Sequence, residues 1–342
     1  NDIQRVHFCV PDAWSAATES HFISAGGAKT IGMAVMDGRV QRGFALVRPP
    51  GHHAMRVVHG ARGFCNVNIE AIMIEYLRRA YGVDKVAIVD TDCHHGDGTQ
   101  DIYWHDPDTL FISLHQDGRT LYPGSGFLSE LGGPTAYGTT VNIPLPPNTS
   151  EEGILHTIDN VVLPILADFK PDLIVNSAGQ DNHYSDPITN MNFSAQGYAE
   201  LTRRLNADIA VLEGGYAIEG ALPYTNAGII LAMAGIDFNN VREPDYNPDS
   251  IRQSIEVTRW IEQTGRQEGD VDTLAVLREH RKRGLGTALL AQSLHALHDA
   301  GMTAAHLHAD AENLTGAMRL YERVGFHVRK TSIAYRKAIE DR

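Results

Sequence analysis

Short apolar runs alternate with segments of helical periodicity through the first two thirds of the chain. Residues 86–89 are continuously apolar and lead into a carboxylate, a pattern typical of a strand buried in a parallel sheet. Similar runs begin at Leu110, Leu173 and Ile209. Residues 69–80 and 152–166 instead have the character of helices. The alternation predicts an α/β sandwich with a mainly parallel central sheet and helices on both faces.

Polar side chains directly follow the first of these strands. Asp90, Asp92 and His94 would point to one side if the extended backbone continues. Carboxylates and imidazoles are costly to bury unless they pair with one another or hold a cation. Open α/β sheets also carry their chemistry at the carboxyl ends of the strands. The segment therefore predicts a metal site.

Three other segments provide similar groups. A tandem histidine, His52 and His53, precedes the sequence Gly-Phe-Cys. The strand predicted at Leu173 is followed by Asp181, and the strand predicted at Ile209 is followed by two glycines and Tyr216. Four segments that each lead to a reactive group are hard to attribute to chance.

Residues 1–262 resemble the zinc-dependent histone deacetylase and acetylpolyamine amidohydrolase superfamily. The motifs that carry the resemblance are, in order, Pro-Pro-Gly-His-His, Gly-Phe-Cys, Asp-x-Asp-x-His-His-Gly-Asp-Gly-Thr-Gln, Ser-Ala-Gly-x-Asp and Glu-Gly-Gly-Tyr. Each motif alone has low specificity, whereas the ordered set is very specific. The resemblance implies an arginase/deacetylase-like three-layer sandwich, here without the family's opening strand.

The resemblance implies a zinc site and a monovalent-cation site. Zinc would be held by Asp92, His94 and Asp181, and three protein ligands leave one position open, as in catalytic zinc sites. Structural K⁺ would be bound nearby, at the matching positions Asp90, Asp92, His94, Ser113 and Leu114.

The resemblance also implies acid–base and oxyanion roles. His53 would take a proton from the attacking water and return it to the leaving amine, with His52 as its charged partner. Asp90 and Asp97 would orient these two imidazoles. Tyr216 would stabilise the oxyanion together with zinc.

A substrate class follows from the same resemblance. Family members remove acetyl or other acyl groups from acetyl-lysine side chains or acetylpolyamines, and Phe64 and Tyr122 would line a narrow tunnel for the acylated chain. The residues implied in substrate binding are Gly63, Phe64, Tyr122 and Gly214.

Two alternatives compete with this interpretation. Arginase-like ureohydrolases share the architecture but use two manganese ions, and Gly96 occupies the place of a carboxylate that would bridge them. One metal ion is therefore the preferred prediction. A catalytically silent binding protein that keeps the site is the second alternative. Other polar residues are expected to be structural, among them His59, His105, His115, His183, Cys65 and Cys93.

The chain changes character after residues 263–271, which are predicted to form a linker. Residues 272–342 resemble the second half of the GNAT acetyltransferase fold, in which a Gly-rich turn presents backbone N–H groups to the pyrophosphate of acetyl-CoA. The residues that carry this resemblance are Arg281, Gly284, Gly286, Thr287, Asn313 and Tyr321. Because the first half of that fold is missing, a natural fusion, an artificial assembly and omitted segments stay open as explanations. A CoA-binding or acyl-transfer module is a further functional alternative.

Composition narrows the expected partners. Residues 1–265 hold 17 Lys and Arg against 32 Asp and Glu, and the whole chain has a formal net charge of −13. This excess disfavours direct nucleic-acid binding and would attract cationic substrates, although solubility explains it equally well. The absence of an apolar run of about 18 residues predicts no membrane span. Three scattered cysteines fit a reducing compartment, so a cytoplasmic protein is expected, with its oligomeric state open.

Overall fold

The structure is a computed structural model that describes residues 2–9, 12–58 and 60–244, together with short stretches of the C-terminal region. Those stretches are residues 268–270, 290–291, 293–295, 298, 304–307 and 317–328. The chain divides into two compact units, Asn1–Ser254 and Ile255–Arg342.

Helices and strands alternate along the first unit. The helices are α1 (Ile3–Val6), α2 (Ala13–Ala16), α3 (Glu19–Met36), α4 (Ile69–Tyr81), α5 (Asp97–Tyr103), α6 (Glu151–Thr157), α7 (Leu163–Phe169), α8 (Ala195–Leu205) and α9 (Leu222–Met233), with a π-helical turn at Ile158–Val162. The strands are β1 (Phe8–Cys9), β2 (Gly43–Ala45), β3 (Val57–Val58), β4 (Val86–Asp90), β5 (Thr109–Gln116), β6 (Thr140–Leu145), β7 (Leu173–Ser177) and β8 (Ile209–Val211).

Six of these strands form one parallel sheet in the order β2-β8-β7-β4-β5-β6. The chain proceeds from β4 to β5 and β6 on one side, and later returns to β7 and β8 on the other. Such a reversal of strand order opens a crevice at the carboxyl ends of the two central strands, β4 and β7. β1 and β3 form a separate parallel pair. The mainly parallel sheet predicted from the sequence is confirmed.

Helices cover both faces of the sheet, which gives three layers. Along β4, Val86 and Ile88 contribute to one hydrophobic core, whereas Ala87 and Val89 contribute to the other, as a period of two requires. The first core includes side chains from α3 and α4, and the second includes side chains from α6, α7 and α8. Burial on both faces explains why β4 has no polar residue before Asp90.

The two helices predicted from periodicity are present. The first is α4, which begins after the capping side chain of Asn68 and ends at Gly82 in the left-handed conformation. The second runs from α6 to α7 and is interrupted by the π-helical turn. Helix α4 therefore has sequence signals at both ends, whereas no such signal marks the turn inside the second helix.

The described residues of the second unit include two strands and a helix. β9 (Glu268–Asp270) pairs in parallel with β10 (Ala304–His306), and α10 (Ala317–Arg323) follows them. β9 lies inside the segment 263–271, so part of the predicted linker is a strand. Across the described ranges, no helix combines the length and the apolar character that a bilayer span would need.

Candidate active site

The loops after β4, β7 and β8 meet the segment between β2 and β3 at the carboxyl end of the sheet. Because the strands are parallel and adjacent, side chains far apart in sequence come together at this edge. The residues concerned are His52, His53, Asp90, Asp92, His94, Asp97, Asp181 and Tyr216.

Asp92, His94 and Asp181 form a compact set of potential metal ligands. One donor atom from each lies within 4.8 Å of the others, and all three residues are buried. The His94 Nδ1 atom lies 2.8 Å from Asp181 Oδ2 and 3.2 Å from Asp92 Oδ1. Two carboxylate oxygens and one imidazole nitrogen around one point are a donor set that suits Zn²⁺.

Two glycines leave space for the ligand carboxylates. A β-carbon on Gly179 would overlap Asp92 Oδ2, and a β-carbon on Gly214 would overlap Asp181 Oδ2. Gly214 also donates its N–H to Asp92 Oδ2 at 2.7 Å. A larger residue at either position would displace the carboxylates. Glycine at both positions therefore allows the potential metal ligands to lie close together. Gly214, which the resemblance assigns to substrate binding, contacts a potential metal ligand.

The charges of the set favour a cation between the carboxylates. Burial and the neighbouring Asp92 carboxylate raise the pKa of Asp181 to about 7. Burial opposes a charge on His94, yet the carboxylates of Asp181 and Asp92 raise its pKa to about 10. These carboxylates thus attract positive charge to the His94 Nδ1 position. A proton and a divalent ion compete for that nitrogen, because a ligand histidine is neutral.

His52 has a carboxylate beside each of its ring nitrogens. Nδ1 lies 3.0 Å from Asp90 Oδ2, and Nε2 lies 3.8 Å from Asp92 Oδ1. Although burial opposes a charge on the ring, these two carboxylates raise the pKa of His52 well above its ordinary value. The backbone N–H of His52 donates to Glu213 Oε2 at 3.0 Å. The surrounding acidic groups therefore favour the protonated form of His52.

The surroundings of His53 favour the neutral form instead. Its Nδ1 lies 2.8 Å from Asp97 Oδ1. Burial and the charge on His52 lower the pKa of His53 to about 4, against the effect of Asp97. A neutral ring whose Nδ1 faces a carboxylate keeps its proton on Nδ1, which leaves Nε2 as an acceptor. The two rings, with centroids 4.1 Å apart, thus provide one charged and one basic imidazole.

Tyr216 lies beside the potential metal ligands, and a hydrogen bond to its backbone holds it there. Its N–H donates to Asp186 Oδ2 at 2.8 Å. Burial and the two ligand carboxylates raise the pKa of its hydroxyl, so that group keeps its proton and can donate a hydrogen bond. Arg48 donates to the Gly215 carbonyl at 2.6 Å, and its guanidinium lies 5.7 Å from the centre of the Tyr216 ring.

A tight turn at residues 62–65 lies beside the site. Arg62 and Cys65 exchange two backbone hydrogen bonds of 2.9 Å. The central residues, Gly63 and Phe64, have φ values of +54° and +65°, as in a type I′ turn. A β-carbon on Gly63 would overlap the His53 ring. Glycine is therefore required here both by the backbone conformation and by the close approach of His53.

Aromatic rings surround the opening of the site. Phe64 is 64% exposed, and its ring lies 5.6 Å from the Tyr216 ring. The Tyr122 ring lies 5.1 Å from the His53 ring. Phe64 and Tyr122, the two predicted tunnel walls, are thus brought to the same site. A cavity of about 510 Å³ adjoins Tyr122 and is also lined by Arg62.

Of the residues matched to a monovalent-cation site, Asp90 lies on β4, Ser113 and Leu114 lie on β5, and Asp92 and His94 follow β4. Ser113 of β5 pairs in register with Asp90 of β4, and its hydroxyl lies 2.9 Å from His115 Nδ1. Leu114 is buried in the hydrophobic core. Binding of K⁺ stays a prediction.

The two-manganese alternative lacks a ligand in this structure. A β-carbon on Gly96 would overlap Asp90 Oδ2, so no bridging carboxylate fits at that position. Within the residues that the structure describes, one cluster of three potential ligands is found. The geometry therefore favours a single metal ion.

Three polar residues at the site were not assigned a role from the sequence. Arg62 donates from Nε to Asp97 Oδ2 at 3.0 Å, and Arg48 contacts Tyr216 as described above. Glu213 is fully buried, and burial raises its pKa to about 8. The available signal was position, because Glu213 lies within the Glu-Gly-Gly-Tyr motif and both arginines directly precede motifs, whereas their partners are distant in sequence.

Most of the residues predicted to be structural are buried or lie close to neighbouring protein groups. Cys65 and Cys93 are buried free thiols. His115 lies 2.9 Å from the Gly126 carbonyl, and His183 lies 3.3 Å from a Glu243 carboxylate oxygen. His59 lies outside the described residues.

Two family models match the chain. The histone deacetylase domain matches residues 7–229, which is more than half of the chain. The chain belongs to the histone deacetylase family. The acetyltransferase (GNAT) family model matches residues 224–326 of this histone deacetylase family member. Both resemblances predicted from the motifs are confirmed.

Individual relatives agree with this assignment. A probable deacetylase of Archaeoglobus fulgidus is 50% identical to the family member described here over 237 residues, which cover 66% of this chain and 65% of that protein. The crystal structure of the HDA15 HD domain has a TM-score of 0.60 at 32% identity, covering 71% of this chain and 69% of that one. An acetylpolyamine aminohydrolase from Burkholderia pseudomallei has a TM-score of 0.56 at 35% identity, covering 62% and 60%. The chain thus spans slightly less than two thirds of the Archaeoglobus protein.

The GNAT match overlaps the first unit. It begins inside α9 and ends shortly after α10. Tyr321 lies in α10, with its ring 6.4 Å from the ring of Phe326. The other residues predicted to bind CoA lie outside the described ranges: Arg281, Gly284, Gly286, Thr287 and Asn313. Acetyl-CoA binding and the boundary at residues 263–271 stay predictions.

Proposed function

We propose that this chain is a zinc-dependent amidohydrolase that removes acetyl, or another acyl group, from an acetyl-lysine side chain or an acetylpolyamine. The observation that carries the proposal is one geometry: the buried Asp92, His94 and Asp181 set lies beside two histidine–carboxylate pairs and Tyr216. Membership of the histone deacetylase family and the names of the relatives support it.

Hydrolysis of an amide needs an activated water and a stabilised oxyanion, because amides are poor electrophiles. Zinc bound at the ligand set would supply Lewis acidity towards both the water and the acetyl carbonyl. His53 would take the proton of the attacking water on Nε2, since Asp97 engages its Nδ1. The same nitrogen would then pass that proton to the leaving amine as the C–N bond breaks, which yields acetate and the free amine.

Tyr216 and His52 would stabilise the negative charge that develops on the carbonyl oxygen. Tyr216 would donate its hydroxyl proton in a hydrogen bond to the carbonyl oxygen as negative charge develops there. His52, held as an imidazolium between Asp90 and Asp92, would add positive charge near the developing oxyanion. The exposed rings of Phe64 and Tyr122 would contact the methylene chain of the substrate.

Metal content measured together with acetate release tests the proposal. Protein purified without chelator should contain about one zinc ion per chain and should release acetate from an acetyl-lysine peptide, an acetylpolyamine or both. A hydroxamate should inhibit, because it would occupy the open metal position. Protein that holds its full metal and hydrolyses neither substrate would contradict the proposed activity, and protein without any metal uptake would favour a silent binding protein.

A second candidate function, CoA-dependent acyl transfer, is favoured by the match to the GNAT family at residues 224–326. It differs from the first in its products, since transfer consumes acetyl-CoA and releases no acetate. Assays of free acetate and of CoA release on the same preparation therefore separate the two.

A further inference from the structure

Arg62 is a charged residue at the site that the proposed mechanism does not use. We propose that Arg62 is a positioning residue for His53 and that it acts through Asp97, by fixing the carboxylate that orients the imidazole. This inference rests on the proposed function, because it assigns Arg62 to that reaction. Neither family match assigns a role to Arg62.

The Asp97 carboxylate is divided between two partners. Oδ1 lies 2.8 Å from His53 Nδ1, whereas Oδ2 accepts hydrogen bonds from both Nε and Nη2 of Arg62, the first at 3.0 Å. Asp97 is only 5% exposed, so water cannot replace either partner freely. Rotation of the carboxylate would break one pair or the other. Arg62 therefore holds the oxygen that faces His53 in place.

The backbone of Arg62 is itself rigidly placed. It is the first residue of the tight turn at residues 62–65, closed by two backbone hydrogen bonds to Cys65. Its guanidinium also lies 5.9 Å from the centre of the Tyr122 ring, within the range of a cation–π contact. The turn and the ring together limit the positions that the guanidinium can take, so the geometry imposed on Asp97 is well defined.

A purely structural role for the ion pair explains these contacts less well. The Arg62 side chain is 41% exposed, so water can solvate its guanidinium even without Asp97. Its partner, by contrast, is buried and bonded to the histidine that would move the proton. Loss of Arg62 is thus expected to affect the orientation of His53 more than the stability of the fold.

The surroundings of Arg62 permit a direct test by chemical rescue. Arg62 lines the cavity of about 510 Å³, together with Ala54, Met55, Val58, Asn66 and Tyr122. Truncation of Arg62 to alanine would enlarge this cavity and leave the Asp97 carboxylate facing it. Free guanidinium is small enough to enter and has the same planar donors as the missing side chain.

Kinetics of the variants give the first measurement. Arg62→Ala should lower kcat roughly 10–100-fold, the range typical of residues that orient the ligands of a metal site, with KM and metal content little changed. Arg62→Lys should retain more activity than Arg62→Ala, because it keeps one donor. Millimolar guanidinium should restore part of the kcat of Arg62→Ala and should not restore Asp97→Asn. Wild-type kcat in Arg62→Ala would overturn the proposal.

A double-mutant cycle tests whether Arg62 acts through Asp97. In an Asp97→Asn background, Arg62→Ala should cause little further loss, because the group that it positions is already gone. Full additivity of the two losses would contradict the proposal. Arg203→Ala is the matched control: Arg203 also donates two hydrogen bonds to one carboxylate, that of Glu200, but lies on α8. This control should leave kcat unchanged.

NMR of histidine side chains labelled with ¹⁵N provides a readout that needs no turnover. The Nδ1–H proton of His53 should give a strongly deshielded signal in the wild-type chain, shifted or broadened in Arg62→Ala and restored by guanidinium. An unchanged signal in Arg62→Ala would overturn the proposal even if the chain proved not to be a deacetylase. Absence of turnover in the wild-type chain, with the NMR changes present, would instead count against the proposed function alone.

Discussion

At the scale of single residues, the potential ligands are held by backbone donors as well as by one another. Asp92 accepts the N–H groups of His94 and Gly214 at 2.8 and 2.7 Å, and Asp181 accepts the N–H of Cys93 at 2.7 Å. These bonds fix the carboxylates in one orientation. Loss of one ligand should therefore change the metal affinity more than the fold.

Removal of a ligand should abolish metal binding and hydrolysis together. Asp181→Asn keeps the shape of the side chain but removes the charge that the metal needs, and His94→Ala removes the imidazole. Both variants should lose most of their zinc and their acetate release, measured by elemental analysis and by the deacetylation assay. Asp168→Asn and His156→Ala change exposed residues of the same types and should retain both. Full metal occupancy in either ligand variant would show that the assignment is wrong.

Tyr216→Phe should separate catalysis from metal binding. The substitution removes one oxyanion donor and keeps the ring that lies against Phe64. A decrease of roughly 10²–10³ in kcat is expected, as for other single oxyanion donors, with zinc content unchanged. Steady-state kinetics should place the loss in kcat rather than in KM. An unaltered kcat would exclude Tyr216 from the reaction.

At the scale of elements, the sequence predicted the strands and their reactive ends better than the contacts between loops. β4 was predictable because a continuously apolar run with a terminal carboxylate has few other interpretations. The pairs Arg62–Asp97 and Arg48–Gly215 were not, because 35 and 167 residues separate their partners along the chain. Such contacts depend on how loops from different strands converge, and local periodicity carries no information about that convergence.

His7 joins the N-terminal segment to the start of α4 in a way that depends on pH. Its Nε2 accepts the N–H of Asn68 at 2.8 Å, so Nδ1 carries the proton and donates to the Met55 carbonyl at 2.8 Å. Burial lowers the pKa of His7 to about 4 from an unfolded value of 6.5. Between these values the unfolded chain binds more protons than the folded chain. The stability provided by neutral His7 is therefore complete above pH 6.5 and is lost as the pH falls towards 4.

His7→Gln should remove this contribution, since glutamine offers an acceptor and a donor but does not titrate. Relative to the variant, the wild-type chain should lose on the order of 3 kcal/mol of unfolding free energy between about pH 7 and pH 4. Urea denaturation across that range provides the measurement. Other buried histidines cancel in the difference between the two curves. Parallel curves would show that folding does not lower the pKa of His7.

At the scale of the whole molecule, two family matches of unequal extent lie on one chain. The deacetylase match covers the unit that contains the complete candidate site, whereas the GNAT match begins inside α9 of that unit. In the sequence, residues 272–342 resemble only the second half of the GNAT fold, including the turn expected to bind a pyrophosphate. The turn stays a prediction, because residues 281–287 lie outside the described ranges.

Acetyl transfer by the whole chain is expected to be slight or absent. Transfer needs an acceptor pocket and a base near the attacking amine, and the GNAT resemblance of residues 272–342 assigns neither to this sequence. Calorimetry with acetyl-CoA should detect weak binding at most, and Arg281→Ala should weaken it further. Tight binding together with steady transfer to an amine would show that residues outside this segment complete the acceptor site.

The turn at residues 62–65 affects both the width of the opening and the orientation of His53. Phe64 at its tip contributes to the width of the opening, and Arg62 at its base contacts the partner of His53. A longer loop that admits a bulkier acyl chain would also move the guanidinium away from Asp97. Broader substrate scope and fast turnover should therefore trade off along this loop. Changes at Tyr122 would keep the backbone of the turn but would remove the ring that lies 5.9 Å from the Arg62 guanidinium, so they should carry a smaller form of the same cost.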